Sequence, residues 1–155
     1  MLALRQWTPQ SDVYVAELEA GGKRLGTPHR LTLDERQDAP FSWTPDSKAV
    51  LFASDRDGPW HIFRQAIDQT QPELLVGKND HSMMPRLTPD GSALLYLVVP
   101  KPGDLSHNFQ IMRVPPTGRA SQFVLQAPGI CFLRALGLQL MFRSPYALNE
   151  LRTNP

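Results

Sequence analysis

Apolar residues in this chain come in short bursts rather than long helical stripes. "SDVYVAEL", "KAVLFAS", "WHIFRQAI", "SALLYLVV" and "FQIMRV" are six to eight residues each, rich in Val, Ile, Leu, Phe and Tyr, and bounded by Gly, Pro, Asp or Ser. Nothing before residue 129 keeps a 3.6-residue period over a dozen positions. The pattern predicts strands near residues 12–18, 48–54, 60–66, 92–98 and 109–114, and an all-β chain. Two of the bursts, "AVLF" and "ALLYLVV", are continuous rather than alternating. A strand of that kind is expected to be covered on both faces.

The bursts repeat. Thr44-Pro45-Asp46 returns as Thr88-Pro89-Asp90, and Ala49-Val50-Leu51-Phe52 returns as Ala93-Leu94-Leu95-Tyr96, both at a spacing of 44. A second set recurs at 49, with Val13-Tyr14, Ile62-Phe63 and Ile111-Met112. In the repeated phrase proline presets φ near −65° at the second turn position, Asp suits the third, and Ser47 or Gly91 the fourth. A unit of about 44–49 residues has room for four short strands and their turns, the pattern of a propeller blade. The fold expected is an incomplete β-propeller of four-stranded antiparallel blades: a partial blade at 1–33, and blades at 34–76 and 77–126, within a propeller region at 1–128. Residues 129–155 carry no Pro-Asp turn and form a separate tail, open to three readings: a degenerate blade, an amphipathic helix, or a truncated or altered coding end.

At 155 residues the length fits one domain, burying roughly 68–70% of the surface its unfolded chain exposes. Sixteen Lys and Arg against fifteen Asp and Glu leave a net charge of +1, which gives no footprint for nucleic acid or an anionic membrane. The first fifteen residues lack the basic start and apolar stretch of a signal peptide, and no apolar run approaches the roughly 20 residues of a membrane span, so a soluble chain is expected. One cysteine, Cys131 in "GICFL", excludes an intrachain disulfide and reads as a buried thiol.

Candidate chemistry is sparse. Asp55-Arg56-Asp57-Gly58 starts like a calcium loop, but Pro59-Trp60 follow in place of further acidic ligands, so a hairpin turn is the better reading. His29, His61, His81 and His107 fall in different segments without zinc spacing. "GKRLG" lacks the composition of a phosphate loop, and no G-x-S-x-G occurs. Trp7, Trp43 and Trp60 read as blade packing. No cofactor or metal is expected.

Trp43-Thr44-Pro45-Asp46-Ser47-Lys48, Ser54-Asp55-Arg56-Asp57-Gly58 and Ile62-Phe63 match in order the phrase of the WD40-like, Pro-Asp β-propeller repeats of the TolB type, and "HRLTLDE" resembles that family's last blade strand. The resemblance covers residues 11–98, extends more loosely to about 126, and is greatest to propellers attached to bacterial Ser/Thr kinases or winged-helix regulators. It implies a non-catalytic module for protein interaction or sensing, part of a larger bacterial protein, on the periplasmic or extracytoplasmic side. The competing implication is a piece of a propeller enzyme, either the gating domain of a prolyl-oligopeptidase-like peptidase or a metal-dependent sugar lyase. Under the blade assignment, the loops before a first strand and between second and third strands share one rim. Glu35, Arg36, Asp55, Arg56, Lys78 and His81 on those loops are the candidate contacts for a protein or peptide partner. Open blade edges make self-association a second expectation.

Overall fold

The structure, a computed structural model, describes residues 10–77, 81–99, 108–118, 120–128, 132–135 and 138–141. Its strands are β1 (Tyr14–Val15), β2 (Leu18–Glu19), β3 (Arg24–Leu25), β4 (His29–Arg30), β5 (Asp38–Trp43), β6 (Ala49–Ser54), β7 (His61–Ala66), β8 (Glu73–Val76), β9 (His81–Leu87), β10 (Leu94–Val99), β11 (Asn108–Val114), β12 (Gln122–Pro128), β13 (Phe132–Ala135) and β14 (Leu138–Met141). No α-helix occurs among the described residues. Two antiparallel four-stranded sheets run in chain order, β5-β6-β7-β8 and β9-β10-β11-β12, and β1 pairs with β4 in a two-stranded remnant of the same design. The chain thus folds as an incomplete all-β propeller.

The continuous apolar run predicted at 48–54 is β6, and all six of its residues are buried. Alternation along the strand sends its side chains into two different cores. Val50 and Phe52 join Val13, Val15, Leu31 and Phe63 against the first unit. Leu51 turns the other way and joins Ile62, Leu75, Val76, Leu94, Tyr96 and Val114 against the next blade. The Phe52 and Phe63 rings stack with centroids 5.8 Å apart. A bulge explains how adjacent Leu75 and Val76 share one core: Ile62 opposes Val76 and Phe63 opposes Leu74, leaving Leu75 as the extra residue. The following blade repeats it, with Val124 extra between Leu125 and Phe123.

Backbone contacts between blades repeat as well. The Asp38 N–H donates to Ser11 O at 2.8 Å, and the Ser82 N–H donates to Trp60 O at 2.7 Å. The donors are 44 apart and the acceptors 49 apart, so the two spacings in the sequence are the two sides of one recurring junction. Gly118, at φ +70°, lies so close to the preceding blade that a Cβ there would stand 2.3 Å from Leu75 O. Ser42 Oγ donates to Pro85 O at 2.9 Å, and buried Gln65 donates from Nε2 to Leu31 O at 2.9 Å, tying each junction with a polar bond.

One expectation needs correction, and one open question narrows. The strand expected at 12–18 is cut into β1 and β2, because β2 leaves the blade to pair with β3 in a small hairpin. Of the three readings left open for residues 129–155, an amphipathic helix does not fit Phe132–Ala135 and Leu138–Met141, which pair as two short antiparallel strands. Cys131, Trp7 and His107 lie outside the described residues.

Phe52→Ala should destabilise the chain by about 3–5 kcal/mol, since it empties a fully buried aromatic site between two units. Urea unfolding measures this; a loss below about 1 kcal/mol would mean that β6 does not hold the blades together.

Candidate functional site

Five of the six candidate rim residues, Glu35, Arg36, Asp55, Arg56 and His81, lie at or beside one end of the sheets, where β5 and β9 begin and β6 turns into β7. Ser54-Asp55-Arg56-Asp57-Gly58 is first a turn: the Gly58 N–H donates to Asp55 O at 3.0 Å, and Gly58 takes φ +102°. The Asp55 carboxylate accepts the Gln37 backbone N–H at 2.9 Å and Gln37 Nε2 at 3.2 Å, which fixes the segment entering β5. Asp55 is therefore half-buried and engaged within the chain.

Arg56 is the centre of the arrangement. Its Nη2 contacts Asp34 Oδ2 at 2.8 Å and Asp38 Oδ1 at 3.0 Å, and its Nε donates to Ser54 Oγ at 2.9 Å. Its guanidinium lies over the rings of Phe63 and Phe52, 4.7 and 5.3 Å from their centroids. The Arg56 side chain is 16% exposed and that of Asp38 fully buried. Asp38 Oδ2 finds no hydrogen-bond partner among the described residues. Asp34 is held in turn: its Oδ1 accepts the Arg36 N–H at 3.0 Å, and its carbonyl accepts Arg30 Nη2 at 2.9 Å and Gln10 Nε2 at 3.1 Å. Arg30 Nη2 also reaches Asp12 Oδ1 at 2.7 Å. The charges nearest the junction are spent on holding the first unit to the next blade.

His81 is half-buried, and its Nδ1 accepts the Trp60 N–H at 3.4 Å beside the Ser82–Trp60 junction. Glu35, Arg36 and Asp57 are exposed. Lys78 lies outside the described residues. Among the described residues no three His, Cys, Asp or Glu side chains gather in a way that could hold a metal. Trp43 is nearly half exposed, so it is not packing in the sense the sequence suggested.

Asp34 and Asp38 lie on the charged loop that the sequence places at this rim, Asp34-Glu35-Arg36-Gln37-Asp38, but they were not among the six candidate contacts. The signal was present in the repeat: at a spacing of 44, Asp38 becomes Ser82 while Arg56 becomes Pro100, so both members of the pair are replaced together.

The opposite end of the sheets carries the two Pro-Asp turns. Thr44 Oγ1 donates to Asp46 Oδ1 at 2.6 Å and accepts the Ala49 N–H at 3.0 Å, while Asp46 Oδ1 also accepts the Lys48 N–H at 3.1 Å. Thr88, Asp90, Ser92 and Ala93 repeat each bond, at 2.5, 3.1 and 3.1 Å. Ser47 and Gly91, the fourth turn residues, both take positive φ, at 56° and 69°. The Thr and Asp side chains of the phrase close their own turns. The Thr88 hydroxyl, followed by the side chain and N–H of Ser92, lowers the Asp90 carboxyl from 3.8 to about 2; the Thr44 hydroxyl and then the Lys48 N–H lower Asp46.

The same fold occurs in a protein assigned as TolB in Agrobacterium tumefaciens, with a TM-score of 0.62 at 19% identity over 74% of this chain and 41% of that one. TolB from Acinetobacter baumannii aligns with a TM-score of 0.56 at 21% identity over 76% of this chain and 27% of that one. A puromycin-hydrolyzing peptidase of Mycobacterium tuberculosis gives 0.45 at 17% identity, over 72% and 24%. No family model and no curated protein matches the sequence. At these identities the likeness shows a TolB-type propeller fold, and this chain spans less than half the length of the proteins that share it.

Arg56→Glu should cost stability, on the order of 3–5 kcal/mol, by setting a carboxylate against buried Asp38. Thermal or urea unfolding checks this. In acid, the folded-state value of Asp90 lies below its unfolded one. Its stabilising effect is therefore present above about 3.8 and lost as pH falls toward about 2. Melting temperatures followed across that range should fall less steeply for Asp90→Asn than for the unaltered chain.

Proposed function

We propose that this chain is a non-catalytic propeller module that engages a protein or peptide partner through its rim of charged loops. The observation that carries the proposal is the division of labour at that rim. Asp34, Asp38, Asp55 and Arg56 are bound to one another and to the backbone, whereas Glu35, Arg36 and Asp57 stand exposed on the same connections. Loops of this kind on a rigid scaffold present fixed charges at little ordering cost. Their mixed sign suits a polar peptide or protein surface better than a phosphate backbone. The Pro-Asp side supports binding less well, because its Thr and Asp side chains are engaged within their own turns.

Exposed charges act on encounter more than on affinity. With a partner captured by pull-down, Glu35→Lys and Arg36→Glu should change the association rate by about 10-fold at low salt and flatten its salt dependence, leaving the melting temperature unchanged. Kinetics that ignore both reversals would reduce the rim to solvated surface.

A further inference from the structure

Asp57-Gly58 and Asp90-Gly91 are the two Asp-Gly pairs of the sequence, and both end a four-residue turn. The Gly58 N–H donates to Asp55 O at 3.0 Å, and the Gly91 N–H donates to Thr88 O at 2.8 Å. Both glycines take positive φ, at 102° and 69°. An aspartyl side chain reaches the following backbone nitrogen most readily when that residue is glycine, which puts no Cβ in the way. The two backbones are alike, so the carboxyls decide which pair reacts. Asp90 Oδ1 accepts the Thr88 hydroxyl at 2.5 Å and the Ser92 N–H at 3.1 Å. Those bonds engage the carboxylate within its turn and lower Asp90 to about 2. The Asp57 side chain is 53% exposed, and its one contact among the described residues is His61 Nδ1, 4.0 Å from Oδ2. A Cβ at Gly58 would meet nothing within 4 Å, whereas one at Gly91 would meet Pro45 Cγ at 3.6 Å. Asp57 has room to fold onto its own main chain; Asp90 is held.

We propose that Asp57 is a site of isoaspartate formation in the folded protein, and that the turn bonds of Asp90 protect the second Asp-Gly pair from the same reaction. The Gly58 nitrogen attacks Asp57 Cγ. The N–Cγ bond forms, the bond from Cγ to the hydroxyl of the protonated carboxyl breaks, and that hydroxyl leaves with the amide proton as water. Water then adds back to the succinimide. Opening at the Asp57 main-chain carbonyl leaves the chain running through Cγ, with the former main-chain carbon as a free carboxylate. No oxidant, reductant or further reactant enters. Water leaves only from a protonated carboxyl, and the bonds at Asp90 make that form more than about tenfold rarer than in an unshifted carboxyl. The product lengthens the main chain by one carbon between Arg56 and Gly58. That turn carries Asp55, which accepts the Gln37 N–H, and Arg56, which meets Asp34 and Asp38, so the modification loosens the hold of the first unit on the next blade.

The reaction stands independently of the partner-binding reading, and its test needs no partner. The full chain is aged, folded, in mildly acidic buffer. Methyl transfer from S-adenosylmethionine by an isoaspartyl methyltransferase marks the product, and peptide mapping places it. Label should collect at residue 57 several-fold above residue 90. Ageing in urea should bring the two sites to similar rates, because the bonds that engage Asp90 are then lost. Thr88→Val and Ser92→Ala, each confirmed as folded by its melting temperature, should raise the label at residue 90. Asp57→Glu should remove the label at residue 57 and leave residue 90 unchanged. The labelled fraction should melt below the unlabelled one. Equal labelling of the two sites in the folded chain, no label at residue 57, or a preference for residue 57 that persists in urea would overturn the proposal.

Discussion

The structure depends on a strand that has no solvent face. β6 sends Val50 and Phe52 one way and Leu51 the other, and neither set could be buried by the sheet to which β6 belongs. A twisted antiparallel sheet with both faces apolar is stable only between two neighbours. Stacking of blades, the repetition of hydrogen bonds at each junction and the bulges that aim Leu75 and Val76 into one core all follow from that requirement. On the last four-stranded sheet Val124 and Leu125, the counterparts of Leu75 and Val76, stay exposed.

Among the described residues, a fully buried carboxylate enters this apolar stack at Asp38. Arg56 covers Phe52 and Phe63 with its planar guanidinium and meets Asp34 and Asp38 with its nitrogens, so one side chain meets the desolvation cost of the carboxylates and caps an aromatic core. An ion pair of this kind adds direction more than net energy, because Arg56 can satisfy both carboxylates in one arrangement of loop and blade. The next blade shows the alternative. With Ser82 in place of Asp38 and Pro100 in place of Arg56, that junction is held instead by the backbone bond from Ser82 to Trp60, the Trp60 N–H on His81 Nδ1 and the Ser42 hydroxyl on Pro85 O.

The same economy bears on function. A charged loop phrase draws attention as chemistry, but each carboxylate or guanidinium committed to a junction is withdrawn from solvent and from any ligand. The residues left free are those whose neighbours already fix the loop, such as Glu35 and Arg36 beside the tethered Asp34. Recognition then rests on a surface that the fold makes rigid.

Much of this was legible in the chain. Continuous apolar runs after a Thr-Pro-Asp turn determined which strands are central, since no other arrangement hides both faces. Two unequal spacings, 44 and 49, marked a recurring unit with connections of different length. Local turn chemistry was readable because Thr44, Asp46 and Ser47 act within five residues of one another. What the sequence left open depends on distance. Arg56 and Asp38 are 18 positions apart, and Ser42 and Pro85 are 43 apart, so no local pattern couples them. Whether a loop charge is spent inside or offered outside was decided only when the blades stacked, because burial is a property of the neighbour and not of the residue.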